Sequence, residues 1–122
     1  MAKIGARLHY VRTDNQMKLI EDGGVFDDMQ QTLVGSLIES IKGELDSEEI
    51  DPEISRSLLE KISFSIAVIL DGSRDAIFEE KEAFPVLTFQ DEDDNLISSG
   101  GNSWMHEYVF GIIKQLYDDE TS

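Results

Sequence analysis

Two runs of apolar residues at four-residue spacing restrict what this chain can fold into. Met29, Leu33, Leu37, Ile41 and Leu45 form the first, widened by Val34 and Ile38. Ile54, Leu58, Ile62, Ile66 and Ile69 form the second. Spacing of three and four residues lines one face of an α-helix, so each run predicts an amphipathic helix with a buried stripe. The first covers about 28–45, with Asp27 or Asp28 as N-cap, because a carboxylate there accepts from free amides and suits the helix dipole. Gly35 and Gly43 weaken it by about 1 kcal/mol each relative to Ala, unless a neighbour packs closely there. Asp46-Ser47-Glu48-Glu49 reads as a solvated connector. Asp51-Pro52-Glu53 then opens the second helix: an acid cap, Pro at the first helical position and acid in the first turn. From Phe64 to Leu70 the segment is apolar all round, which implies burial on more than one side. A strand over those residues is the rival reading, but the stripe continuing from Ile54 favours helix, closed by Asp71-Gly72 with Gly as left-handed cap.

Around these helices lie shorter β-like pieces. Residues 3–10 alternate, with Ile4, Ala6, Leu8 and Tyr10 on one side and Lys3, Arg7 and His9 on the other, which is the period of a half-buried strand. Residues 13–16 read as a turn, Met17 to Ile20 as a returning strand, and Gly23-Gly24 as a break. Residues 73–83 are polar and acidic, with Ile77-Phe78 as their only apolar anchor. Pro85 begins the strand-like run Val86–Phe89, residues 91–94 turn, and Asn95-Leu96-Ile97 return. Ser103 caps a last helix lined by Met105, Val109, Ile112 and Leu116, its face extended by Trp104, Tyr108, Ile113 and Tyr117. The acidic end, residues 118–122, opposes the helix dipole and is expected to fray. The expectation is a single α+β domain over 1–122: three main helices packed on a small antiparallel sheet made of two short hairpins.

Charge narrows the partners. The chain holds 26 Asp and Glu against 10 Lys and Arg, a net charge of −16 over 122 residues. Residues 1–20 carry +3, so the remainder carries −19. Such a surface repels phosphate backbones and anionic lipids within roughly 8 Å at physiological salt. Direct nucleic-acid binding and membrane binding are therefore not expected, whereas a basic protein would be drawn in. Charge of this size also keeps any protein dispersed, so solubility alone is the competing explanation. With no cysteine, there is neither a disulfide framework nor a thiolate metal site. The first twenty residues lack an apolar leader core, and no run of about 18 apolar residues occurs. Those absences predict a cytoplasmic protein of bacterial or phage type.

Motifs for chemistry are weak. Asp91, Asp93 and Asn95 stand at alternate positions like the start of a calcium loop. Leu96 stands where that loop needs Gly, and Asn102 where it needs a closing Glu, so Asp91, Glu92, Asp93 and Asp94 read as an acidic turn. His106-Glu107 lacks the second His of a zinc-protease helix, and a metal site joining His106 to His9 has no spacing to recommend it. No Gly-x-Ser-x-Gly, Walker or dinucleotide glycine pattern is present. No metal, cofactor or catalytic residue is expected, and the chain is not expected to be an enzyme. Trp104, the only tryptophan, suits either the core or an interface.

What remains is a non-catalytic acidic protein, of inhibitor type, that engages a basic protein. Its candidate contacts are Glu48, Glu49 and Asp51; Glu79, Glu80 and Glu82; the four acids at 91–94; and Trp104 with His106. One alternative is a DNA mimic of the anti-restriction kind, whose carboxylates would need to form an elongated double row. Another is a ligand-binding or enzymatic domain with a pocket near Trp104 and His106. The breadth of the last apolar face also suggests a homodimer.

Overall fold

Asp22, rather than Asp27 or Asp28, starts the first helix. The computed structural model describes residues 17–101 and 103–121. In it, strand β1 (Leu19–Glu21) is followed at once by helix α1 (Gly23–Asp46). Asp22 is extended, and its Oδ1 accepts the Val25 amide at 3.1 Å. Gly23-Gly24 therefore opens the helix instead of breaking the chain. Glycine costs little in a first turn whose amides have no intrahelical partner. The buried Phe26, its ring 5.2 Å from that of Phe89, holds that turn against the sheet.

Helix α2 (Pro52–Leu70) begins as the sequence predicts, with Asp51 Oδ1 accepting from the Glu53 and Ile54 amides. Phe64–Leu70 is helical. Its buried face, however, is one residue out of step with the isoleucine stripe. Ser55, Leu59, Ser63 and Ala67 are buried, whereas Ile54 is 56% exposed and Ile62 and Ile69 lie at the exposed margin. Both sets recur every four residues, so periodicity alone does not choose between them. Small side chains at 55, 63 and 67 let neighbouring helices approach closely, since interaxial distance follows the size of the contact residues.

After α2 the chain forms a hairpin, where the sequence shows only a polar, acidic stretch with Ile77-Phe78 as its apolar anchor. Strand β2 (Ala76–Phe78) pairs antiparallel with β3 (Lys81–Ala83), Ile77 opposite Glu82 and Phe78 opposite Lys81. Strands β4 (Phe89–Gln90) and β5 (Leu96–Ser98) flank the acidic turn, so the strand expected over 86–89 is shorter and shifted. The α+β class and its three main helices stand, and the sheet is mixed. Its order is β1-β5-β4, with β4 antiparallel and β1 parallel to β5. Parallel pairing follows from the long helical crossover between β1 and β5. The proposed partner strand at 3–10 lies outside the described residues.

Ser103 does not cap the last helix. Its Oγ lies 2.5 Å from Gln30 Oε1, and a 3₁₀ turn (Met105–Tyr108) leads into α3 (Val109–Thr121). Helix α3 continues to Thr121, through residues expected to fray, with Lys114 Nζ 2.7 Å from Asp118 one turn on. Val34, Ile38, Leu59, Ala67, Met105, Val109 and Ile113 form one core among the three helices. No described helix is long and apolar enough to cross a membrane.

Candidate interaction surface

The acidic groups singled out in the sequence fall into three turns. Glu48 and Glu49, with the capping Asp51, join α1 to α2. Glu79 and Glu80 form the tip of the β2–β3 hairpin, with Glu82 on β3. Asp91, Glu92, Asp93 and Asp94 join β4 to β5. Helix α2 is 19 residues long, about 28 Å at 1.5 Å per residue, and it separates the first turn from the root of the hairpin. The fold thus does not gather the three clusters into one patch.

Each turn contains a residue in left-handed backbone. Glu49 has φ 47°, Glu79 50°, Glu80 66° and Asp94 62°, and no other described residue except glycine has positive φ. The hairpin turn is informative, because its two central residues both need the conformation for which Asn-Gly is usual, and both are glutamate. In the 91–94 turn one carboxylate serves the backbone and another a neighbouring side chain. Asp91 Oδ1 accepts the Asp93 and Asn95 amides at 2.9 and 2.8 Å, and Asp94 Oδ1 accepts from Gln90 Nε2 at 3.0 Å. Among the described residues no group of three or more His, Asp or Glu is placed to hold a metal ion.

Trp104 and His106 do come together, beside Asp71 and Ser73, which carry no motif in the sequence. His106 Nδ1 lies 2.5 Å from Asp71 Oδ2, the same oxygen accepts the His106 amide at 3.0 Å, and Asp71 Oδ1 accepts the Ser73 amide at 2.9 Å. The Asp71 side chain is wholly shielded from solvent. Burial pushes its pKa up, but the bonds from His106 and Ser73 outweigh burial and hold it below the ordinary carboxylate value. Ser73 Oγ stands 3.3 Å from His106 Nδ1, the nitrogen that already faces Asp71. A serine relay needs acid and nucleophile on different ring nitrogens, so this Asp-His-Ser cluster is a clamp between the end of α2 and the 3₁₀ turn. Trp104 and Phe64 pack edge-on to His106 at 6.0 and 5.7 Å, and Trp104 and Phe110 are each half exposed.

A second polar connection links α1 to the 3₁₀ turn. Tyr108 Oη donates to Asp27 Oδ1, which also accepts from Gln30 Nε2 at 3.2 Å, and the buried Gln30 reaches Ser103. The hydrogen bond to Asp27, followed by burial, pushes the Tyr108 phenol above its ordinary pKa. Nothing in one dimension pairs Asp71 with His106 or Asp27 with Tyr108. The only signals were the positions of Asp71 and Asp27 at presumed helix ends.

A cavity of about 310 Å³ has Leu19, Asp71, Pro85, Val86 and Ser103 among its walls, and neither Trp104 nor His106 lines it. A wider groove of about 510 Å³ runs between α1 and β4, along Met29, Leu33 and Phe89. Comparison with known proteins finds no matching family model, no matching curated protein and no matching solved structure.

Proposed function

We propose that this chain is a non-catalytic acidic binding protein, of inhibitor type, whose partner is a basic protein. The observation that carries this is the backbone of the acidic turns. Glu49, Glu79 and Glu80 occupy left-handed conformations that glycine adopts freely and a residue with a Cβ adopts at a cost of about 1–2 kcal/mol. Solubility would be served by glutamate at any exposed site, so it does not account for acids kept where the backbone opposes them. Strained positions of this kind gather at functional surfaces. The DNA-mimic alternative draws less support, because the clusters are separate turns rather than a continuous double row. Self-association would bring together two surfaces of −16 each.

The test couples stability to binding. E79N/E80G installs the preferred hairpin pair, so unfolding should move up by about 1–2 kcal/mol, a few degrees in Tm. Immobilised wild-type protein should retain a basic protein from extract of its native cell at low salt and release it below about 0.5 M. The variant should retain less of that protein although it is more stable. Retention unchanged at 1 M salt, or indifferent to neutralising all three clusters, would overturn the proposal.

A further inference from the structure

Among the described residues, large apolar side chains cluster in the open on the β2–β3 hairpin and the segment that follows it. Ile77 is 59% exposed, Phe78 and Phe84 78% each, and Val86 81%. Strands β2 and β3 pack chiefly against each other, and in both only Ala76 is partly buried. A two-stranded hairpin alone in water is marginal, and large side chains left uncovered on one mark an interaction site. The root is held firmly, in contrast. Asp71 binds the Ser73 amide, and the Arg74 amide donates to Val68 O at 2.9 Å. The hairpin is an anchored arm.

Its side chains define what would cover it. Directly opposed residues of an antiparallel pair share a face, so Ile77 and Glu82 lie on one side and Phe78 and Lys81 on the other. Apolar groups thus project from both faces, which suits insertion into a cleft better than contact with a flat surface. Four acids and two bases lie between residues 74 and 82, and the tip is Glu79-Glu80. A second copy of the chain would meet the same acidic tip and the same −16. An anionic lipid surface would be repelled in the same way.

Resting on the reading above, we infer that the β2–β3 hairpin is the docking arm. It inserts Ile77, Phe78 and Phe84 into a cleft of the basic partner that has apolar walls and a cationic floor. Charge guides the encounter, and the aromatic and aliphatic side chains supply the tight contact.

Two labelled 14-residue peptides of equal positive charge serve as probes, one of Lys and Leu in an amphipathic pattern and one of Lys and Ser. Fluorescence anisotropy should show the Lys/Leu peptide binding wild-type protein at least 10-fold more tightly than the Lys/Ser peptide. Amide shifts on titration should centre on residues 76–86. I77S/F78S/F84S should keep the wild-type Tm within about 2 °C and bring the two peptides to equal affinity, and Phe78→Ser alone should remove part of the difference. Equal affinity of both peptides for wild-type protein, or shifts centred on Ile54 and Ile62, overturns the arm and leaves the acidic reading standing. Failure of both peptides to bind overturns both. A mass in sedimentation that doubles with concentration, and stays single in the triple variant, assigns the arm to a second copy and overturns this proposal.

Discussion

In α2, residues spaced by four bury Ser55, Leu59, Ser63 and Ala67 among the helices, whereas in the β2–β3 arm Ile77, Phe78 and Phe84 remain in solvent. Hydropathy alone would rank these regions the other way. Serine goes inside because the helical bundle needs small contacts there. Phenylalanine stays outside because, among the described elements, the two strands of the arm pack chiefly on each other. Burial in this chain follows the geometry of the packed neighbours more than the character of each residue.

The largest effect should come from truncating the bundle. Leu59→Ala removes a side chain with no exposed surface and should lower unfolding free energy by about 2–5 kcal/mol, read by urea denaturation. Phe78→Ala, though it deletes a larger group, should stay within about 0.5 kcal/mol. Similar losses at the two sites would abolish the contrast between bundle and arm.

Next in size is the clamp at the root of the arm. Asp71→Asn removes the charge from bonds to His106 and Ser73 and should cost about 2 kcal/mol at pH 7. Because the fold lowers the Asp71 pKa, its contribution is complete above the ordinary carboxylate value and is lost as pH falls through the folded value. The gap between wild type and D71N should therefore hold from pH 7 to about pH 5 and narrow below about pH 4. A gap that widens on acidification would show that Asp71 is not the ionised partner.

Two smaller changes sharpen the account of the bundle. Ser63 Oγ is buried with no hydrogen-bond partner among the described residues, so Ser63→Ala should raise stability by about 1 kcal/mol. A loss instead would mean that the hydroxyl is satisfied. Nothing lies within 4 Å of a Cβ built at Gly43, so Gly43→Ala should gain up to about 1 kcal/mol in thermal unfolding.

The three helices, the Asp51-Pro52 start, the Gly72 stop and the acidic turn at 91–94 were legible because each depends on neighbours within a few residues. The misreadings share a cause. Gly23-Gly24 looked like a break because the stabilising contact, Phe26 on Phe89, spans over sixty residues of sequence. The hairpin at 76–83 was missed because its turn uses Glu-Glu where Asn-Gly signals a hairpin, and its strands have no polar-apolar alternation. His106 was noticed for its metal chemistry, while its actual partner, Asp71, lies 35 residues away.

Local rules acting through helix period, capping and composition thus determined the three helices, the 91–94 turn and the chain's net charge. Only the packed structure decided which side of α2 faces inward, that β1 runs parallel to β5, and that Asp71 meets His106. Those outcomes depend on contacts between segments distant in sequence, where side-chain volume and the pairing of buried polar groups select one arrangement among several with the same periodicity.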